Sequence, residues 1–153
     1  MRKLRVLVLM HESLVPPESL EGYTDDEILE WKTEFDVVDG LATVADALHS
    51  MKHIETKALI VRKRNDDDEY GIVELEDIAT EVLARNRAPD RVNIYEIMDK
   101  PLICIDPNMD IRYCARQFER LQLHRAAVVE NREVVGIVSY ADIVMKGMKS
   151  MLT

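Results

Sequence analysis

Gly136, Ser139 and Asp142 stand in the spacing G-x-x-S-x-x-D. The surrounding residues, VVGIVSYADIV, read as a strand running into a helix. That order puts Ser139 at the strand end and Asp142 in the first helical turn. A carboxylate there can accept hydrogen bonds from both hydroxyls of a ribose. The helix N-terminus offers backbone N–H donors and the positive end of its dipole to a phosphate. Ser139 adds a hydroxyl. Ser and Asp are also favoured helix caps, so a purely structural role accounts for the same two residues. A second copy of the pattern lies 65 residues earlier, in Gly71-Ile72-Val73-Glu74-Leu75-Glu76-Asp77. Glu74 stands there in place of the serine, and Glu76 adds a further charge. A phosphate beside these carboxylates is repelled. The site containing Asp142 is therefore expected to be the better nucleotide site. The one containing Asp77 is expected to be degenerate, or to take an uncharged nucleoside.

Other residues offer weaker chemistry. Arg125, beside His124 and just ahead of an apolar run, is a candidate phosphate partner or one of an exposed surface pair. His49 and His53 are four apart on a predicted helix, a spacing that can hold zinc. No Glu directly follows His49 and no Cys lies nearby in sequence as a third ligand, so a solvent-facing pair is the simpler reading. The run Asp66-Asp67-Asp68-Glu69 lacks the glycine and spaced ligands of an EF-hand loop and reads as a solvated hairpin tip. Cys104 and Cys114 lie on apolar faces, as inert core thiols do. No nucleophile elbow, P-loop or Rossmann fingerprint occurs.

These residues belong to a chain of 153 with a formal net charge of −9. Phosphate backbones are bound through clustered Lys and Arg, and a surface this acidic repels a polyanion on average. Nucleic acid is therefore not an expected partner, which leaves room for a local basic patch that binds a small anion. The apolar run Val6–Met10 falls far short of the ~20 residues that span a bilayer. His11 and Glu12 end it too early for a signal peptide. Two cysteines make no disulfide framework, and a reduced, cytoplasmic protein is expected. At 47% hydrophobic and 32% charged residues the composition is globular, while aromatics, at 5%, leave the core to aliphatic side chains.

The elements that must position the candidates follow from periodicity. Residues 4–10 read as a buried strand. Thr24 and Glu27 form a capping box ahead of a helix from about Asp25 to Phe35 or Val38. Thr43 caps a second helix with Val44, Leu48 and Met51 on one face. Strands are expected at Ala58–Arg62 and Gly71–Glu74. A helical stripe of Leu75, Ile78, Ala79, Val82 and Leu83 follows and stops before Pro89. The pattern then restarts. A strand at Leu102–Ile105 precedes a helix facing inward with Ile111, Cys114, Ala115, Phe118 and Leu121. Strands follow at Ala126–Val129 and Val134–Val138, and a last helix carries Tyr140, Ile143, Val144 and Met148. Gly71-Ile72-Val73 matches Gly136-Ile137-Val138, and Asp77-Ile78 matches Asp142-Ile143. A self-match at fixed offset within matched elements signals an internal duplication.

The duplicated region resembles a tandem pair of CBS domains, carried by DEYGIVELEDI at 68–78, EIMDKPLICIDPNMDI at 96–111 and VVGIVSYADIV at 134–144. The resemblance implies an α+β fold of two β-α-β-β-α repeats packed with pseudo-twofold symmetry. The implied divisions are an N-terminal strand and helix extension over 1–35 and repeats over 36–90 and 91–153. It further implies a homodimer and a cleft between the repeats for an adenosine-containing ligand, such as AMP, ADP, ATP or S-adenosylmethionine. In the family, Gly136, Ser139 and Asp142 mark the ribose and phosphate side, and Ile103 and Ile105 line the adenine pocket. Arg125 and, in the degenerate copy, Asp77 complete the candidate set. No cofactor is required, no metal is implied, and the module regulates an unidentified partner without catalysis. A ligand-free dimerisation scaffold is the alternative. Residues 4–38, RVLVLMHESLVPP and DEILEWKTEFDVV, also resemble the start of D-alanine–D-alanine ligases of the ATP-grasp type. The chain has no room for the remaining lobes of such an enzyme, so an appended structural element is the expectation, with strand 4–10 pairing at a sheet edge or with a second copy.

Overall fold

The computed structural model describes residues 34–149 and Leu152. The expected strand at 4–10 and its pairing lie outside the described residues, as does most of the helix expected from Asp25. The described chain forms two compact units, one over Glu34–Leu102 and one from Ile103 onward. Each has the element order β-α-β-β-α around a three-stranded sheet.

In the first unit, β1 (Asp36–Val38) pairs parallel with β2 (Ala58–Val61), which pairs antiparallel with β3 (Gly71–Glu74). All four residues of β2 are buried, as befits an unbroken aliphatic run in the middle of a sheet. Residues 36–38, expected as the end of a helix, are a strand. Val37 and Val38 are β-branched, and pairing beside β2 outweighs the helical pattern upstream. Helix α1 (Val44–Ser50) starts at Thr43, whose Oγ1 accepts the Asp46 N–H at 3.1 Å. Helix α2 (Leu75–Ile78) continues directly as a π-helical turn over Ala79–Leu83. The wider turn rotates the helix face, so Val82 is buried while Leu83, expected on the same stripe, is 77% exposed.

The segment after α2 folds back onto this first unit. Val92, Ile94 and Ile97 join its core with Val38, Val44, Ala47, Leu59, Val61, Val73 and Val82. Residues 91–102, which the sequence groups with the second repeat, hydrogen-bond to the first unit. Val44 N–H donates to the Val92 carbonyl at 2.8 Å. Ile72 and Asp99 exchange N–H donors at 3.0 and 2.9 Å. Gly71 permits this approach, since a Cβ there would lie 3.0 Å from Met98 Sδ and 3.2 Å from the Asp99 carbonyl oxygen.

In the second unit, β4 (Cys104–Ile105) runs parallel to β5 (Arg125–Glu130), which is antiparallel to β6 (Glu133–Ser139). Helix α3 (Ile111–Leu121) is capped by Asp110, whose Oδ1 accepts the Arg112 N–H at 2.8 Å. Helix α4 (Tyr140–Asp142) again passes directly into a π-helical segment, Ile143–Met148. As in the first unit the face is rotated: Ile143 is buried, but Val144 and Met148, expected beside it, are exposed. Phe118 of α3 meets Tyr140 of α4 edge to face at 5.0 Å between ring centroids. Among the described residues no helix is long and apolar enough to cross a membrane.

Candidate functional site

Strand register assembles the second unit's candidates. Arg125 opens β5 directly opposite Ser139, the last residue of β6. Residues directly opposed in an antiparallel pair project from the same face, with Cβ atoms about 4.5–5.5 Å apart. The guanidinium stem thus rises beside the residue that starts α4. Ser139 is the N-cap: its Oγ accepts the Asp142 N–H at 3.2 Å. In return Asp142 Oδ2 accepts the Ser139 N–H at 2.9 Å and the Ser139 hydroxyl at 3.1 Å. Asp142 is 4% exposed. A ribose diol at this carboxylate has to share it with the helix cap. The structure therefore realises the capping role of Ser139 and Asp142 in full and places one strong cationic side chain next to it.

Not every candidate joins this group. Gly136 lies opposite Val128, three residues back along β6, about 10 Å at ordinary strand rise. By the two-residue alternation it shares a face with Val138, while Ser139 shares the other with Ile137, Ala127 and Arg125. Ile103 stands just ahead of β4, half-buried, with its carbonyl accepting the Ala127 N–H at 2.9 Å. The structure brings together Arg125, Ser139 and Asp142, sets Gly136 further along β6, and bonds Ile103 to the strand that Arg125 opens.

Asp77 occupies the corresponding place in the first unit. Its Oδ2 accepts the Glu74 N–H at 2.8 Å, as Asp142 accepts that of Ser139. Burial pushes the Asp77 carboxyl above its ordinary value, the Glu74 N–H opposes this, and the charges of Asp99, Glu76 and Glu81 add to the rise. Glu74 pairs with Ala58 on β2, just as Ser139 pairs with Arg125 on β5. The first unit thus lacks the arginine as well as the serine, and crowds the position with acids. Sequence reasoning found the glutamate and missed the alanine. The two repeats are 65 residues apart at β3 and β6 but 67 apart at β2 and β5, because the β2–β3 connection is longer. A single offset aligns Arg125 with the wrong residue; counting back from each hairpin finds Ala58.

The weaker candidates resolve as follows. Asp68 Oδ1 accepts from Lys100 Nζ at 2.6 Å, and Oδ2 from the Arg64 N–H at 2.9 Å and Arg64 Nε at 3.2 Å. Lys100, and then the Arg64 amide, hold the Asp68 carboxyl far below the usual range, and Lys100 occupies the position a cation would take. Both cysteines are buried, and burial, reinforced by the charge of Asp110, pushes the Cys114 thiol up to about 12. It remains protonated at neutral pH and is no nucleophile. His53 has Glu34 and Glu55 as its acidic neighbours.

A repeated β-α-β-β-α unit with an acid in the first turn of its closing helix defines a class of small duplicated α+β domain. The CBS-domain family model matches residues 94–149. The hexameric CBS-CP12 protein from bloom-forming cyanobacteria is 36% identical in sequence and superimposes with a TM-score of 0.72, over 82% of this chain and 71% of that one. The CBS-domain protein TA0289 of Thermoplasma acidophilum, of unknown function, is 28% identical with a TM-score of 0.64, over 80% and 71%. An uncharacterized protein of Methanocaldococcus jannaschii, MJ0450, is 25% identical over 109 residues. The match takes in 71% of this chain and spans 59% of that curated relative's length. The chain belongs to the CBS-domain family, whose members are commonly regulatory modules. The ATP-grasp resemblance of residues 4–38 receives no support from these comparisons. Its last described part, Asp36–Val38, is the first strand of a CBS unit.

Proposed function

We propose that this chain is a non-catalytic, ligand-sensing regulatory module of the cytoplasm, and that its second unit binds an adenine nucleotide such as AMP, ADP or ATP. The observation that carries the reading is Arg125 seated opposite Ser139 at the start of α4. A guanidinium beside helix N–H donors suits a phosphate, and the Asp142 carboxylate suits a ribose. Gly136 and Ile103 shape the neighbouring sheet and are secondary. The first unit, with Ala58, Glu74 and Asp77 in the equivalent places, is the weaker site. Binding would act by linkage, favouring whichever conformation or assembly holds the ligand better. The hexameric state named for the cyanobacterial CBS-CP12 protein supports self-association here, as a homodimer or a larger homo-oligomer.

The test is a thermal-shift panel of AMP, ADP, ATP, S-adenosylmethionine and adenosine on wild type and Arg125→Ala, read as the shift each ligand adds to each protein. A ligand at 100 times its Kd adds about 2.7 kcal/mol. For a chain of this size that is a rise of roughly 5–10 °C. A phosphorylated adenosine ligand is expected to stabilise wild type and to lose most of that effect in Arg125→Ala, while any effect of adenosine survives. A specific observation favours a second reading, the ligand-free scaffold: the hydrogen bonds of Asp142 to Ser139 are those of a complete cap. No stabilisation by any member of the panel decides for the scaffold.

A further inference from the structure

His53 precedes a single 3-10 turn, Ile54–Thr56, on the way into β2. Its backbone is held on both sides. The Asp36 carboxylate accepts the His53 N–H at 2.8 Å through Oδ2 and the Lys52 N–H at 3.0 Å through Oδ1. The His53 carbonyl accepts the Thr56 hydroxyl at 2.9 Å and the Thr56 N–H at 3.2 Å, and Thr56 is buried. None of these bonds uses the imidazole. The turn fixes where the ring starts and carries Glu55, while Glu34 stands two residues before Asp36.

Three donor atoms meet there. His53 Nδ1 is 3.7 Å from Glu34 Oε2 and 3.6 Å from Glu55 Oε1. These distances exceed an ordinary N–H···O hydrogen bond. They lie close to the separation of two ligands on one tetrahedral ion. With zinc–nitrogen and zinc–oxygen bonds of about 2.0–2.2 Å, neighbouring donors stand about 3.3–3.5 Å apart. One imidazole and two carboxylates leave room for water in a fourth position. A nitrogen donor favours a first-row transition ion over magnesium or calcium, which take oxygen. The two carboxylates bring local negative charge that a divalent cation neutralises.

We propose that Glu34, His53 and Glu55 form a divalent-cation site of zinc type on the first unit, separate from the Arg125 group and independent of nucleotide binding. His49, on the preceding helix, is not part of it.

The experiment is a calorimetric titration of zinc chloride into the full chain after chelator treatment and dialysis. Wild type is compared with His53→Gln, Glu34→Gln, Glu55→Gln and His49→Gln. The three cluster side chains reach solvent, and the bonds that shape the turn are made by other groups, so circular dichroism is expected to show all variants folded. The expected result is one site of sub-millimolar affinity in wild type and His49→Gln, weakened tenfold or more by each cluster substitution. Failure of wild type to bind zinc below millimolar concentration overturns the proposal. Equal affinity in folded His53→Gln overturns it as well. Either outcome leaves the nucleotide reading untouched.

Discussion

At Asp77 one carboxyl group is pulled in opposite directions. The bond from the Glu74 N–H favours the ionised form, while burial and the neighbouring acids Asp99, Glu76 and Glu81 favour the protonated one, and the second set prevails. The folded-state pKa therefore lies above the ordinary value of 3.8. Between those two values the folded chain holds the proton more tightly than the unfolded chain. Stability accordingly falls as pH rises through that window, and the penalty is fully present above it. Asp77→Asn keeps an oxygen to accept the Glu74 N–H and removes the charge. The variant is expected to be at least as stable as wild type at pH 7, with a flatter stability profile just above pH 4, as urea unfolding at a series of pH values will show. A variant clearly less stable than wild type at pH 7 contradicts this.

Among the elements, the β5–β6 hairpin carries visible strain. Its two-residue turn, between the paired Glu130 and Glu133, holds Asn131 at φ 50° and Arg132 at φ 68°. Both central residues are left-handed, the conformation that matches the twist of the flanking strands. Asn tolerates it and Arg does not, at a cost of roughly 1 kcal/mol. Arg132→Gly is expected to raise Tm by about 2–4 °C. Gly71 presents the reverse case. Met98 is flexible and can move from an added Cβ, but the Asp99 carbonyl is backbone and is itself engaged with β3. Gly71→Ala is expected to destabilise by about 1–3 kcal/mol, lowering the urea midpoint without changing the m-value. Element type was legible wherever an apolar run stood between turn residues, as at Ala58–Val61 and Gly71–Glu74. It was not legible at Asp36–Val38, where three residues become a strand because β2 lies beside them. Nor was the exposure of Leu83, since a π-helical turn leaves no mark in a pattern read at 3.6 residues per turn.

Across the whole molecule, the duplication was legible because both repeats keep the same glycine strand and the same acid at the start of the closing helix. The α+β architecture, now seen as two three-stranded sheets, was implied by the resemblance to CBS domains that these motifs carry. The candidate site was legible only in part. Ser139 and Asp142 announce themselves by local spacing, and their mutual capping is local chemistry. The partnership of Arg125 with Ser139, and its counterpart in Ala58 and Glu74, depends on cross-strand register. Register in turn depends on hairpin length, which differs between the copies. The segment over 92–102 belongs to the first core because Val92, Ile94 and Ile97 fill it, a tertiary fact with no local signature.

The shared cap has a consequence for how such duplicated chains are surveyed. In both copies an aspartate in the first turn of the closing helix satisfies the amide at the end of the preceding strand. A copy that gives up its ligand still has that side-chain oxygen closing the start of its helix. The acid is thus a poor census marker, since a tally keyed to it scores active and vestigial copies alike. The informative position is the one across the hairpin, where one copy holds Arg125 and the other Ala58.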